Sequence, residues 1–220
     1  TDAERISYVT MNPGHPLVKR HIQAGGQAFV LEQGMNGHMI TIYDNEAHTP
    51  LLWTHLIPAT IEGRALHNVQ NAMFAAALAY NMDIGLEDIR HGLRTFDSTF
   101  FQAPGRMNIY DEHPFRVILD YAHNPAAVKA MCDLVQRFDV DGKRIVVLSA
   151  PGDRRDEDIR EIAAIAAEQF DYFICRCDDN RRGRGEDEVA VMLKNRLLEA
   201  GISADRIDVV PDEQAANRTA

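Results

Sequence analysis

A short polar run, Asp-Tyr-Ala-His-Asn-Pro at residues 120–125, follows an apolar stretch and precedes a helical pattern. Asn124 suits the N-cap of that helix, and Pro125 suits its first position, where a missing N–H costs nothing. A carboxylate between a strand and a helix lies where open α/β sheets bind ligands. Asp120 could therefore accept hydrogen bonds from ribose hydroxyls, and His123 could face a phosphate or a divalent cation. A solvated polar turn is the alternative.

Two further charged runs, residues 150–158 and 177–187, also follow apolar stretches and precede helical patterns. Their candidate ligand-binding residues are Asp153, Arg154, Asp178, Asp179, Arg181 and Arg184. Because the carboxyl ends of parallel strands meet at one edge of a sheet, we expect both runs and Asp120 to face one crevice.

Each charged run has a simpler interpretation as a solvated loop. In particular, Asp178 and Asp179 could pair with Arg181 and Arg182 across their own turn, and such local surface pairs are common and weak. Spacing alone leaves both interpretations open.

Two amides and a guanidinium form another candidate group. Asn68 and Asn71 lie one helical turn apart, so both could read the donor and acceptor edge of adenine, although Asn68 could equally cap the helix. Arg106 follows Pro104-Gly105 and suits a phosphate as a planar bidentate donor, although a lone Arg is more often a surface charge. The P-loop pattern Gly-x-x-x-x-Gly-Lys-[Ser/Thr] is absent from the sequence.

Composition excludes several classes of protein. The 220 residues suit one large or two small domains, and the net charge of −10 argues against a nucleic-acid partner. No apolar run approaches the ~20 residues of a membrane span, so we expect no membrane partner. The three cysteines are few and odd in number, which indicates a reducing cytoplasm, and no second Cys or His pair completes a metal site.

Hydrophobic patterns predict two kinds of structure along the chain. Strands are predicted at 6–10, 28–31, 39–43 and 51–57, with a hairpin signal at Gly34 and Gly37. An Ala-rich helix around 69–80 and a short helix at 86–96 follow.

A polar, aperiodic stretch ending in Pro-Gly, residues 97–104, predicts a domain boundary. Beyond it, strands are predicted at 106–111, 115–121, 144–149, 170–176 and 206–210, and helices at 125–138, 156–169 and 186–200. Such alternation predicts an α/β fold with a largely parallel, Rossmann-like sheet.

Taken in order, these motifs resemble the Mur ligase superfamily: His-Asn-x-x-Asn at 67–71, Pro-Gly-Arg at 104–106, the run at 120–125, Gly-Asp-Arg at 152–154, and the Asp-Asn-containing loop at 178–184. Within it, the last three motifs resemble the carboxyl-terminal half of the cyanophycin synthetases. Peptidoglycan ligases usually carry Asp-Asn-Pro-Arg in the last loop, and this chain does not.

The resemblance implies two domains. Residues 1–100 would be the C-terminal part of a Mur ligase central ATPase domain, truncated at its start. Residues 101–220 would be the C-terminal Rossmann-like domain without its last strand. Residues 1–5 do not look like a natural beginning, so we expect a longer protein whose ATP-grasp and P-loop parts lie elsewhere in the same chain.

The resemblance also implies an activity, an ATP- and Mg²⁺-dependent amide ligase of the cytoplasm that works through an acyl phosphate. In cyanophycin synthesis this half adds arginine to the β-carboxylate of aspartate in a growing polymer, and a homo-oligomer is expected. The alternatives are a catalytically idle Mur-like scaffold, or a peptidoglycan- or folate-type Mur ligase.

Family roles transfer to individual positions by resemblance. Asn68 and Asn71 match adenine-contacting positions, and Asp120 matches the ribose-binding carboxylate. Arg106 and His123 match the catalytic, phosphate-side positions. The region that receives the incoming amino acid matches Asp153, Arg154, Asp178, Asp179, Arg181 and Arg184.

We predict that these 220 residues alone do not hydrolyse ATP, because the loop that cradles the β- and γ-phosphates is absent from them. The measurement is phosphate release by the purified chain, with heat-denatured chain as control. Release above that background would show that the phosphates are held without a P-loop.

Overall fold

The computed structural model describes residues 5–220 and divides into two compact units, one ending at Tyr121 and the other starting at Ala122. The first four residues of the predicted first domain lie outside the described residues. The family-domain boundary after residue 100 stays a prediction.

The first unit contains a four-stranded sheet in the order β1-β2-β3-β4. Its strands are β1 (Ser7–Thr10), β2 (Gln27–Gly34), β3 (Gly37–Asp44) and β4 (Ala47–Trp53). β1 runs parallel to β2, and the other neighbours are antiparallel. The hairpin predicted from Gly34 and Gly37 is confirmed, since these two residues are paired across the β2–β3 turn.

The predicted strand at 51–57 is shifted. β4 ends at Trp53, and two 3₁₀ turns follow it, Thr54–Leu56 and Pro58–Thr60. The Ile57 N–H donates to the Thr54 carbonyl at 3.1 Å, so these backbone groups are engaged within the turn and not in a strand ladder.

Three helices pack against this sheet: α1 (Pro16–Gln23), α2 (Leu66–Asn81) and α3 (Leu86–Thr95). α2 and α3 bury one face of the sheet, where Phe29 and Ile40 are fully buried with Met73. α1, which the sequence analysis missed, covers Ala28 and Val30 on the other face through its one buried residue, Val18.

A separate antiparallel ribbon, β5 (Asn108–Tyr110) and β6 (Val117–Leu119), also belongs to the first unit. The prediction that these two strands join the parallel sheet is wrong. Only six residues, 111–116, connect them, whereas a parallel crossover needs a dozen or more, so the short connection permits only an antiparallel pair.

The second unit confirms the α/β class. Its sheet is parallel in the order β7 (Ile145–Leu148), β8 (Tyr172–Cys175) and β9 (Ile207–Val209). Its helices are α4 (Pro125–Val135), α5 (Asp156–Ala167), α6 (Glu188–Glu199) and α7 (Glu213–Thr219). The core joins α5 and α6 to the sheet through Ile159, Ile162, Leu193 and Phe173, all with no exposed surface.

Two local features position the loops of the second unit. Leu148 and Cys175 are paired at the ends of β7 and β8, so the loops that follow emerge side by side. The predicted cap of α4 is confirmed, because Asn124 Oδ1 accepts a hydrogen bond from Ala127 N at 2.9 Å. Within residues 5–220, no helix has both the length and the apolar character that a membrane span requires.

Candidate functional site

Three predicted nucleotide-site residues of the first unit are linked through Met107. The Met107 N–H donates to Asp120 Oδ2 at 2.9 Å. The Asn68 amide nitrogen lies 4.0 Å from Met107 Sδ, and Asn71 Nδ2 donates to Asn68 Oδ1 at 3.1 Å. Residues that are 52 positions apart in sequence (68 to 120) therefore share one neighbourhood.

The two amides differ in what they can still bind. Asn68 does not cap α2, because the N-cap position of this helix is Ala65. The Asn68 Nδ2 donates to the Ala59 carbonyl at 2.7 Å, and the Asn68 Oδ1 accepts a hydrogen bond from Asn71 Nδ2. Asn71 is exposed and keeps its Oδ1 and a second N–H for a ligand. In this conformation Asn68 orients Asn71, and Asn71 can contact a base.

Arg106 stands at the surface of the same unit. Gly105 and Met107 flank it with φ of 68° and 52°, both in the left-handed region. Its guanidinium carbon lies 5.0 Å from the centroid of the Tyr121 ring, a cation–π distance. Among residues 5–220 it makes no ion pair, so its five N–H donors remain available to a phosphate.

His67 precedes Asn68, and no role was predicted for it from the sequence. This side chain is half-buried, and burial lowers the pKa of its imidazole, an effect that the nearby Asp120 carboxylate partly opposes. A neutral imidazole beside Asp120 can donate one hydrogen bond and accept another. Its only signal in the sequence was its position next to the two amides.

His123 belongs to the second unit, half-buried and directly before the helix cap Asn124. Asp120 follows β6 of the antiparallel ribbon in the first unit. The prediction that Asp120 lies at the carboxyl edge of the same sheet as the two charged loops is therefore wrong. The nucleotide-side roles of Asp120 and His123 stay predictions.

The two charged loops of the second unit do meet at the carboxyl edge of its sheet. Arg182 Nη1 lies 2.8 Å from Asp153 Oδ2, and this guanidinium lowers the pKa of the Asp153 carboxyl. Gly152 is buried beneath the second loop: a Cβ at this position would lie 2.1 Å from the Arg181 carbonyl oxygen. Only glycine allows the two backbones to approach so closely.

Arg184 joins the loops as a brace. Its Nε donates to the Gly152 carbonyl at 2.9 Å, and its Nη2 donates to the Arg154 carbonyl at 2.9 Å and faces Asp156 at 2.7 Å. Its Nη1 donates to Glu188 at 2.7 Å. Four of its five donors are thus committed within the protein, which leaves little for the predicted contact with a substrate.

The carboxylates next to β8 are differently placed. Asp178 Oδ1 accepts from Asn180 N at 3.1 Å, and Arg181 pairs with Glu186 at 3.1 Å. Neither Asp178 nor Asp179 forms an ion pair with another described residue, so the alternative of pairing across their own turn is not observed. Asp178 lines the narrow gap between the loops, whereas Asp179 points to solvent-exposed surface.

Arg154 carries an unsatisfied donor. Its Nε is buried and has no hydrogen-bond partner among the described residues. A buried donor without a partner is uncommon in proteins and costs free energy. This atom marks a place where an acceptor from a ligand would be stabilising.

The described residues contain no cluster suited to a metal ion, and the Cys175 thiol is unreactive. No group of three or more His, Cys, Asp or Glu side chains in residues 5–220 is arranged to hold a metal ion. Burial raises the pKa of the Cys175 thiol to about 12, so this sulfur stays protonated at neutral pH.

Comparison with known proteins finds similarity to Mur ligases and to cyanophycin synthetases. The family model "Mur ligase, glutamate ligase domain" matches residues 105–220. A cyanophycin synthetase of Trichormus variabilis is 37% identical, over 97% of this chain and 23% of its own length. A UDP-N-acetylmuramoyl-L-alanyl-D-glutamate–2,6-diaminopimelate ligase of Corynebacterium efficiens is 30% identical, over 82% of this chain and 31% of its own length.

Solved structures show the same fold. E. coli FolC in complex with DHPP and ADP matches 97% of this chain and 46% of its own chain, with a TM-score of 0.62 and 21% identity. Mycobacterium tuberculosis folylpolyglutamate synthase complexed with ADP matches 97% and 47%, with a TM-score of 0.58 and 18% identity. The chain spans less than a quarter of the length of the cyanophycin synthetase that it matches.

We predict that Gly152→Ala forces the two loops apart, because its new Cβ would overlap the Arg181 carbonyl. Unfolding in urea should show a loss of about 1–3 kcal/mol, and amide hydrogen exchange should rise in residues 178–188. Gly142→Ala is the matched control, since a Cβ there meets no atom within 4 Å. Unchanged exchange in that segment of Gly152→Ala would mean that the loops are not in contact in solution.

Proposed function

The chain belongs to the Mur ligase family, and from this premise we propose that it forms part of an ATP-dependent ligase that joins arginine to the side chain of aspartate in a polymer. The observation that carries the proposal is the grouping of Asn71, Asp120 and Arg106 in the first unit, with Asn71 and Arg106 open to a ligand.

Each residue of this group suits one part of a nucleotide. The free edge of the Asn71 amide offers a donor and an acceptor to adenine. Asp120 Oδ2 accepts a hydrogen bond from the Met107 N–H, which holds the carboxylate in a fixed orientation. In this orientation the carboxylate can accept hydrogen bonds from ribose hydroxyls. Arg106 supplies a planar cation for phosphate oxygens.

The second unit suits the incoming amino acid. An arginine substrate has a guanidinium, which needs a carboxylate, and an α-carboxylate, which needs donors. We propose Asp178 for the guanidinium, since it is partly exposed close to the end of β8 and forms no ion pair with another described residue. We propose Arg154 for the α-carboxylate, since its buried Nε lacks a partner. Asp153, Asp179 and Arg181 remain secondary candidates, and Arg184 braces the loops.

The proposed reaction has two steps. An oxygen of the acceptor carboxylate attacks the γ-phosphorus of ATP, and ADP leaves, which gives an acyl phosphate. The α-amine of arginine then attacks the acyl carbon, phosphate leaves, and the amine loses a proton, so one amide forms per ATP consumed. Mg²⁺ would enter with the nucleotide and neutralise phosphate charge; no described residue is assigned to it.

The similarity to cyanophycin synthetase supports the wider setting that we propose. The partners are arginine, an aspartate-containing polymer, ATP-grasp and P-loop parts of the same protein, and further copies in a homo-oligomer. Three free cysteines suit a reducing compartment, the cytoplasm. An idle scaffold is the weaker candidate, because an unused nucleotide site would be free to lose its residues, and this chain keeps Asn68, Asn71, Arg106 and Asp120 together.

A crossed kinetic experiment tests this function in the protein that carries these residues. Arginine-dependent phosphate release from ATP is measured with an aspartate polymer as acceptor. Asp178→Asn should raise the KM for arginine several-fold and leave the KM for ATP unchanged, because only the guanidinium loses its carboxylate. Asp120→Ala should do the reverse, with a loss of about 1–3 kcal/mol in ATP use.

The two variants serve as controls for each other, since each removes one carboxylate from a different unit. An active protein in which both variants keep wild-type KM values for both substrates would contradict the assigned sites. Phosphate release that does not depend on arginine would contradict the assigned amino acid.

A further inference from the structure

Asn108, the first residue of β5, is a buried amide with its hydrogen-bonding groups engaged. It is 1% exposed. Its Nδ2 donates to the Ser98 carbonyl at 2.7 Å and to the Ala103 carbonyl at 2.9 Å. Its Oδ1 accepts from the Gly105 N–H at 2.7 Å. One side chain thus closes the loop that runs from residue 98 to residue 108.

This amide acts on the backbone that presents Arg106. The Gly105 N–H, directly before Arg106, donates to Asn108 Oδ1, and the Met107 N–H, directly after it, donates to Asp120 Oδ2. Met107 adopts φ of 52°, a conformation that disfavours residues with a side chain. Within the turn itself, the Arg106 N–H donates to the Ala103 carbonyl at 3.1 Å, and the bonds from Gly105 and Met107 fix the residues on either side of Arg106.

The Asn108 contacts lie apart from the core of the first unit. Its partners are backbone groups of the turn, and its strand β5 pairs with β6 alone. The apolar core of the four-stranded sheet is formed by other residues, such as Phe29 and Met73. Loss of the amide should therefore disturb the Arg106 turn more than the fold.

We propose that Asn108 is a positioning residue for the nucleotide reaction, acting through Arg106. It fixes the turn at residues 103–107 so that the Arg106 guanidinium meets the phosphates of a nucleotide whose ribose is held by Asp120. The inference rests on the proposed function, and it adds a residue to which the sequence motifs gave no role.

The test uses Asn108→Asp in the protein that carries these residues. Aspartate has the same shape and still accepts from Gly105 N–H, but its oxygen would face the Ser98 and Ala103 carbonyls and repel them. We expect kcat/KM for ATP to fall about tenfold or more, since small displacements of a positioned group have such effects. The KM for arginine should stay unchanged.

Gln27→Glu is the matched control. Gln27 is also a buried amide of the first unit, 3% exposed, and its Nε2 donates to Asp44 Oδ2 at 3.2 Å, so a carboxylate at this position would repel its partner, as in Asn108→Asp. It lies outside the loop from residue 98 to residue 108, so Gln27→Glu should lose thermal stability but keep wild-type kcat/KM for ATP. Equal losses of activity in both variants would reduce Asn108 to a merely structural role and overturn the inference.

A double-mutant cycle with Arg106→Lys decides whether the effect passes through Arg106. If it does, Asn108→Asp should cost less than about twofold in the Arg106→Lys background, because the guanidinium that it positions is already absent. If the wild-type protein is active and Asn108→Asp lowers kcat/KM for ATP equally in the wild-type and Arg106→Lys backgrounds, the inference is overturned and the proposed function is not. An inactive wild-type protein overturns the proposed function and the inference with it.

Discussion

A single hydrogen bond, from the Met107 N–H to Asp120 Oδ2, ties the Pro-Gly-Arg turn to the carboxyl end of β6. The left-handed backbone of Met107 is unfavourable by about 1–2 kcal/mol. A hydrogen bond to a charged group contributes about 1.5–3 kcal/mol, so the bond can offset the strain. The orientation of Asp120, the contact of Met107 with Asn68 and the exposure of Arg106 all depend on this turn.

The loops of the second unit are organised by a different principle. Exposed ion pairs such as Arg181 with Glu186 are individually weak, but Arg184 joins backbone and side-chain acceptors from both loops at once. Gly152 permits the close approach that makes this possible. Most charges of the loops are thereby neutralised internally. The exceptions include Asp178 and Asp179, which form no ion pair with another described residue, and Arg154, which has an unsatisfied donor.

Local features were predictable from the sequence because their partners are near in the chain. The Asn124 cap bonds three residues ahead, and the Gly34–Gly37 hairpin closes across two residues. The strands β5 and β6 were predicted, but their separate antiparallel pairing was not, although their short connection excludes a parallel pair. α1 was missed because its eight residues are fewer than the roughly 11–18 over which a helical period is recognised.

The hydrogen bonds that already engage Asn68 and Arg184 within the protein could not be predicted, because their partners are distant in sequence. Asn68 finds the carbonyl of Ala59 nine residues away, and Arg184 finds that of Gly152 thirty-two residues away. Residue types show what a side chain can bind, whereas only the fold shows which capacity is already used. The Asn68 amide is already engaged, whereas Asn71 keeps groups for a ligand. In the same way, Asp153 is paired with Arg182, whereas Asp178 forms no ion pair with another described residue.

The most direct measurement tests whether Asp120 binds the ribose hydroxyls of ATP. The kcat/KM for ATP is compared with that for 2′,3′-dideoxy-ATP, in the wild-type protein and in Asp120→Asn. The wild type should prefer ATP by about 10- to 100-fold, the value of a hydrogen bond to a charged group, and Asp120→Asn should lose most of that preference. An equal preference for ATP in both proteins would show that the ribose is bound elsewhere and would contradict the nucleotide site built around Met107.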